Sequence, residues 1–166
     1  MEIIEVPITF EMLQKAREKS SEMGTLNNSI LNGDGNLTGF LGEEIAKSIL
    51  GGESKNTYDY DIVLPSGEKI DVKTKKTKVK PKDYYECSVA AFNTKQKCDY
   101  YCFVRVKDDY TKAWYLGVYP KTCYYEDSVF LRKGDVDPSN NYTVKADCYN
   151  LKISSLHQEI KNEVSR

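Results

Sequence analysis

The sequence contains very little histidine, and this limits the chemistry that it can perform. Its 166 residues include one histidine, His157, which lies in a polar segment that we expect to form a C-terminal helix. Ser-His-Asp hydrolases, Cys-His proteases, His-Me-finger nucleases and multi-histidine metal sites are therefore disfavoured. Any catalysis must rely on carboxylates and lysines.

Cysteines are few and loosely spaced. There are five, an odd number, and they form no C-x-x-C pair. We expect reduced thiols, as in an intracellular protein. A structural zinc site is the alternative, although such sites usually take their ligands in close pairs. Its ligands would be Cys98, Cys102, Cys123 and Cys148.

The sequence also lacks a long apolar run. No segment approaches the ~20 apolar residues of a membrane span, and the N-terminus has no basic flank followed by an apolar stretch, as a secretory signal would. We therefore expect a cytoplasmic protein with no membrane partner. The composition, 40% hydrophobic and 30% charged, is typical of a globular chain, and we expect residues 1–166 to form one domain.

Positive charge is concentrated in one stretch although the net charge is −1. Between residues 69 and 82, Asp71 is the only acid among seven lysines. Such a stretch can bind a polyanion, and a solvated lysine-rich loop is the alternative. The candidate nucleic-acid-binding residues are Lys75, Lys76, Lys78, Lys80 and Lys82.

The periodicity of apolar residues predicts a mixed α/β fold with a mixed sheet. Helices are expected at residues 10–23, capped by Thr9, and at 38–50, capped by Thr38, with a loop over 25–36 between them. Strands are expected at residues 58–64, 68–74, 84–90, 100–106 and 113–119, with one or two more within 142–153. A short helix is expected at 92–97 and a terminal one after Ser154 or Ser155.

A hairpin is predicted for residues 58–74. If residues 65–67 form its loop, Ile62 pairs with Ile70 and Tyr60 pairs with Val72. These four side chains would then make one apolar face. We expect that face to pack against the core, with the polar side chains on the opposite face.

Two acids oppose each other on the polar face of this hairpin. The same register sets Asp61 against Asp71, and Asp59 against Lys73. Like charges so placed repel, with Cβ atoms ~5 Å apart, unless a cation lies between them. The alternative is an exposed hairpin whose charges are solvated and whose Asp59–Lys73 ion pair is weak.

A divalent cation would explain the opposed acids. Asp61 and Asp71, with the main-chain carbonyl of Val72, would hold Mg²⁺ or Mn²⁺, which prefer oxygen ligands. Such an ion can bind a phosphate oxygen and lower the pKa of a bound water. Lys73 would position that water or stabilise charge on the phosphorus.

The segments GFLGEEIAKSILGG and YDYDIVLPSGEKIDVKTKK together resemble the PD-(D/E)XK, or restriction-endonuclease-like, superfamily. The resemblance implies a core at about residues 38–106, built as helix, three-stranded meander, helix and strand. An N-terminal helix and C-terminal β/α additions would flank it. The catalytic residues that the family motif implies are Glu43, Asp61, Asp71 and Lys73, with Glu43 also a metal ligand. The further candidates are Glu44, Asp59, and the Gln96 and Tyr100 of a Q-x-x-x-Y motif that matches the RecB-like branch.

The resemblance implies a Mg²⁺-dependent (or Mn²⁺-dependent) DNA endonuclease that leaves 5′-phosphate and 3′-hydroxyl ends. Restriction-like, junction-resolving and repair enzymes all fit, and an enzyme that cuts both strands would be a homodimer. A catalytically silent nucleic-acid-binding module on the same scaffold is the alternative. A protein-interaction domain is a third reading, which the lysine-rich stretch disfavours.

Overall fold

The computed structural model describes residues 2–24, 34–55 and 57–160. Two helices pack on one face of a curled, six-stranded mixed sheet. A three-stranded sheet and a short helix cover the other face. The mixed α+β class that the sequence predicts is confirmed.

The helices are α1 (Phe10–Gly24), α2 (Asp34–Leu50) and α3 (Lys121–Asp127), with 3-10 turns at Ala91–Lys95 and Ile153–Ser155. The strands are β1 (Ile4–Pro7), β2 (Glu53–Ser54), β3 (Ile62–Val63), β4 (Lys69–Thr77), β5 (Glu86–Ala90), β6 (Tyr100–Lys107), β7 (Lys112–Pro120), β8 (Val129–Leu131) and β9 (Cys148–Lys152).

Strand β6 lies near the middle of the larger sheet, whose order is β1-β7-β6-β4-β3-β2. Its residues 101–106 are all buried, so the predicted central strand with two covered faces is confirmed. Strands β4 and β6 run parallel, and the other pairs are antiparallel. Because a parallel pair needs a crossover connection, the segment between β4 and β6 leaves the sheet and returns to it.

The predicted hairpin forms, but its first strand is shorter than expected. Ile62 pairs with Ile70 as predicted. The predicted pairing of Tyr60 with Val72 is wrong, because the Asp61 carboxylate accepts a hydrogen bond from the Val72 N–H at 2.8 Å. The Asp61 side chain thus accepts the hydrogen bond that the main-chain carbonyl of Tyr60 would accept from Val72 in a regular strand pairing. Tyr60 and Val72 consequently pack against different cores.

The third predicted strand, residues 84–90, exists as β5 but belongs to the other sheet. It pairs antiparallel with β9, and β8 completes the order β5-β9-β8. The antiparallel meander consists instead of β2, β3 and β4. The sequence pattern predicted neither β1, β2 nor β8.

Helix α1 begins as predicted, since the Thr9 hydroxyl accepts a hydrogen bond from the Met12 N–H at 3.2 Å. Helix α2 begins at Asp34, about one turn before the predicted cap. Thr38 is therefore buried inside the helix, with its hydroxyl 3.4 Å from that of Tyr110. The predicted N-cap at this position is wrong, and residues 25–33 of the predicted loop lie outside the described residues.

The predicted C-terminal helix is also wrong for the part of the tail that is described. The main chain of His157 exchanges two hydrogen bonds with that of Val118, at 2.7 and 2.8 Å, and residues 156–160 are not helical. The His157 ring packs 4.9 Å from that of Tyr119. Residues 161–166 lie outside the described part. Across the described ranges, no helix has both the length and the apolar character to cross a membrane.

All five cysteines are free. Cys102 lies in the core beneath α1 and α2. Cys98 and Cys123 lie with the core on the opposite face of the larger sheet. The four-cysteine alternative is therefore not assembled, because the sheet separates its members.

A close contact holds α2 against β4. A Cβ built on Gly42 would lie 1.8 Å from the Thr74 hydroxyl oxygen. Only a residue without a side chain fits here, and this allows the helix to approach the strand. The next residue of the helix, Glu43, is thereby brought close to the hairpin. On the same helix, a Cβ at Gly39 would meet no atom within 4 Å.

We predict that Gly42→Ala destabilises the protein by ~1–3 kcal/mol, since the added methyl group must push α2 away from β4. Gly39→Ala is the matched control and should stabilise the protein by roughly 0.5–1 kcal/mol, because alanine is the better helix former. Denaturant unfolding of both variants measures this difference. Equal effects of the two substitutions would contradict the packing described here.

Candidate active site

The candidate site is built around one face of β4. Side chains alternate along a strand, so Ile70 and Val72 pack against the core beneath the helices while Asp71 and Lys73 point to the other face. Asp71 is only 4% exposed. The site therefore lies where the sheet, the hairpin and the crossover after β5 meet.

Asp61 connects the hairpin to the edge of β4. Its main-chain N–H donates to the Ile70 carbonyl at 2.8 Å, and its carboxylate accepts from the Val72 N–H. The same carboxyl group is hydrogen-bonded to those of Glu43 and Asp71. Because ionised carboxylates can only accept, these contacts require shared protons when no cation is bound.

Glu43 reaches this group from helix α2. Its carboxyl group is hydrogen-bonded to that of Asp61, and it is 5% exposed. Its Oε2 atom is buried without a hydrogen-bond partner among the described residues. Glu43, Asp61 and Asp71 therefore form a chain of three carboxyl groups with Asp61 in the middle. We refer to these three residues as the carboxylate cluster.

Glu44, the alternative to Glu43, has a different environment. Its carboxylate lies 3.8 Å from the Lys19 ammonium and 3.5 Å from that of Lys47. Both lysines also donate to the Ser54 hydroxyl. Glu44 thus joins α1, α2 and β2, which explains its burial without any catalytic role.

Lys73 is held over the cluster by two partners. Its ammonium group lies 2.8 Å from Asp71 Oδ2 and donates to Gln96 Oε1 at 3.0 Å. The Gln96 amide also donates to Asp71 Oδ1 at 3.1 Å and to the Tyr58 carbonyl at 2.8 Å. Gln96, a minor candidate from the sequence, is buried and fixes the relative positions of Asp71 and Lys73.

Two other minor candidates are placed differently. Asp59 accepts a hydrogen bond from the Lys97 N–H at 3.0 Å, and Lys73 pairs with Asp71, so the Asp59–Lys73 ion pair of the exposed-hairpin alternative does not form. Tyr100 packs with the core beneath the helices. The ring of its neighbour Tyr101, which the sequence motifs did not indicate as a site residue, lies 5.7 Å from the Lys73 ammonium.

The candidate nucleic-acid-binding lysines do not form one surface. Lys75 continues the face of Asp71 and Lys73, whereas the ammonium of Lys76 lies over the Tyr110 ring, which packs on the helix side of the sheet. The remaining three are exposed beyond the end of β4: Lys78, Lys80 and Lys82.

Burial raises the pKa values of the carboxylate cluster. Burial raises the pKa of Glu43 to about 9, and the nearby Asp61 adds to this effect. Burial also raises the pKa of Asp61. For Asp71, burial raises the pKa to about 6, although the Lys73 ammonium opposes the shift. The cluster thus retains protons at neutral pH when no cation offsets its charge.

The donors of the cluster fit a hard divalent cation in kind, since all of them are oxygens. The unpartnered Oε2 of Glu43 offers a further ligand atom, and the carbonyl of Val72, which follows Asp71 on β4, is a main-chain candidate. Within residues 2–24, 34–55 and 57–160, however, no group of three or more His, Cys, Asp or Glu side chains is arranged to hold a metal ion as it stands. Binding would therefore require the hydrogen-bonded carboxyl groups to lose their protons and turn toward a common point.

Sequence comparisons identify no relatives. No protein-family model matches the chain, and no curated protein has a significantly similar sequence.

We predict that folding stability without metal falls as the pH rises from about 5 to 9. The pKa of Glu43 is raised from 4.5 to about 9, so its contribution is fully present below pH 4.5 and is lost as the pH approaches 9. Glu43→Gln keeps a neutral side chain and should therefore be the more stable protein at pH 8, by on the order of 1–3 kcal/mol, and lose this advantage near pH 5.

Denaturant unfolding in EDTA at several pH values measures this effect. Glu44→Gln is the matched control, and it should destabilise the protein because Lys19 and Lys47 lose their carboxylate partner. A Glu43→Gln protein whose stability relative to wild type does not change with pH would contradict the assignment.

Proposed function

We propose that the protein is a metal-dependent DNA endonuclease of the PD-(D/E)XK type, which hydrolyses phosphodiester bonds. The observation that carries this proposal is the meeting of Glu43, Asp61, Asp71 and Lys73 at one buried point. Helix α2, the hairpin and β4 each contribute to it. Three neighbouring carboxyl groups, of which Glu43 and Asp71 are buried, are unfavourable when ionised. A divalent cation would offset their charge and suits oxygen donors.

The order of the elements supports the proposal. Helix α2 is followed by the meander β2-β3-β4, by the crossover with its 3-10 turn, and by the parallel strand β6. The helix, the meander and the final strand follow the order expected for the superfamily core, whereas a 3-10 turn stands where that core has its second helix and β5 pairs in the other sheet. Fold alone does not determine function, so the proposal depends on the site.

Asp61 and Asp71 would hold the cation, with Glu43 and the Val72 carbonyl as the further ligands. Mg²⁺ or Mn²⁺ would supply the positive charge that activates water and offsets charge on the phosphate. Loss of the shared protons from the cluster would accompany binding, because metal ligands must be deprotonated.

Lys73 would act on the reacting phosphate. Its ammonium group is held by Asp71 and Gln96, and its side chain is 21% exposed, so a substrate could reach it at the edge of the cluster. There it can orient the attacking water or stabilise the charge that develops on the phosphate oxygens. Gln96 would position Lys73 rather than take part in the chemistry, since its amide is fully engaged with Asp71, Lys73 and Tyr58.

We predict that the protein nicks or linearises plasmid DNA with Mg²⁺ or Mn²⁺ and not with EDTA. Asp71→Asn and Lys73→Met should each lower the cleavage rate by at least ~10²-fold, because the first removes a charged ligand of the cation and the second removes the positive charge that stabilises the transition state. Gel electrophoresis of supercoiled plasmid over time measures the rates.

Glu53→Gln is the control, since Glu53 is an exposed acid on β2 (81% exposed) outside the site. It should cut as fast as wild type. Equal rates for wild type, Asp71→Asn and Lys73→Met would contradict the assigned site. DNA binding without cleavage across substrates and metals would instead favour a silent binding module on the same scaffold.

A further inference from the structure

A second feature of the polar face of β4 is a pair of adjacent cations. Lys75 and Arg105 are direct partners in the parallel pairing of β4 with β6. Like charges on neighbouring strands repel when nothing lies between them. Just as a cation would offset the opposed charges of Asp61 and Asp71, an anion would offset the charges of Lys75 and Arg105.

Arg105 is buried without an acidic partner. It is 7% exposed, and within the described part of the chain no carboxylate lies within ion-pair distance of it. Its guanidinium donates to the Glu86 carbonyl at 2.9 Å and lies 5.7 Å from the Tyr85 ring centre. These contacts fix the group but do not neutralise it. A buried charge without a counter-charge is costly, which indicates that a ligand supplies it.

The exposed Lys75 and the buried Arg105 line a cavity of about 90 Å³ between the two sheets. This is well above the ~10–15 Å³ that one water molecule needs, so the cavity has room for a group larger than a water molecule. The carboxylate of Glu86, which also lines the cavity, already accepts a hydrogen bond from the Ser139 hydroxyl at 2.5 Å. The wall is completed by other side chains of the two sheets, among them Lys73, Cys87 and Phe103.

The positions of Lys75 and Arg105 lower the pKa of each side chain. Burial and the neighbouring guanidinium lower the pKa of Lys75, and burial lowers the pKa of Arg105. A bound anion would reverse both effects.

We propose that Lys75 and Arg105 together bind one phosphate of a nucleic-acid strand, next to the phosphate that is cleaved. Lys73 and Lys75 are two residues apart on one strand face, about 6.6–7 Å along the strand, which is comparable with the spacing of consecutive phosphates. The cavity thus receives the phosphate that neighbours the one at Lys73. This inference rests on the proposed function for the identity of the ligand.

A double-mutant cycle on DNA binding tests the inference. Binding of a fluorescent DNA duplex is measured by anisotropy in EDTA, between 50 and 200 mM salt, for wild type, Lys75→Gln, Arg105→Gln and the double variant. Each single change should weaken binding and reduce the slope of log K against log salt by about 1. Because both residues bind the same phosphate, the double variant should lose about as much affinity and salt slope as either single variant.

Lys75→Gln combined with Lys80→Gln is the matched control. Lys80 is an exposed lysine outside the cavity, so any effect that it has should add to that of Lys75→Gln. Additive effects of Lys75→Gln and Arg105→Gln, or unchanged slopes, would overturn the shared phosphate site. No metal is present, so the result does not depend on whether the protein cleaves DNA.

Arg105→Gln changes a buried residue, and circular dichroism checks that it folds. If it does not fold, inorganic phosphate replaces the cycle as the probe. Phosphate should raise the melting temperature of wild type by mass action and raise that of Lys75→Gln clearly less. Equal shifts in the two proteins would overturn the inference.

Discussion

The hydrogen bond from the Val72 N–H to the Asp61 carboxylate is the contact on which the site depends. It ends the short strand β3 and turns an acid toward β4, where Asp71 already lies. The close packing of α2 at Gly42 then brings Glu43 to the same point. Three carboxyl groups become neighbours there, and burial is the largest cause of their raised pKa values.

The larger sheet also organises positive charge. Along the polar face of β4 the side chains pass from Asp71 to Lys73 and Lys75, and β6 adds Arg105 beside the last of these. The acidic group around Asp71 and the basic pair Lys75–Arg105 therefore lie on the same face of the sheet. A substrate with several phosphates could contact both, with a cation at the first and direct ion pairs at the second. In this arrangement the catalytic and binding residues would be parts of one surface.

The features of the fold that depend on residues close together in the chain could be predicted from the sequence. The alternation around Ile62 and Ile70 predicted the hairpin register, and the continuous apolar run of β6 predicted its burial. Thr9 capped the first helix as expected. Asp61, Asp71 and Lys73 lie on the hairpin, so its register alone predicted that they would be near one another, whereas Glu43 was implied only by the resemblance to the superfamily.

The features that could not be predicted depend on contacts between distant segments. Pairing of β5 with β9 joins residues about 60 apart, and no periodicity within either strand indicates its partner. The positions of Gln96 and Arg105 depend on the crossover and on that second sheet. Thr38 was predicted as the N-cap of α2 because nothing in the sequence indicates that the helix begins about one turn earlier, at Asp34.

The central claim is that the carboxylate cluster exchanges protons for a divalent cation. Calorimetric titration with Mn²⁺ at pH 7.5, in two buffers of different ionisation enthalpy, tests it most directly. We expect saturable binding by the wild-type protein, with release of roughly one proton or more per ion. We expect no such binding by Asp61→Asn. No saturable binding by the wild-type protein, or binding that Asp61→Asn retains, would contradict it.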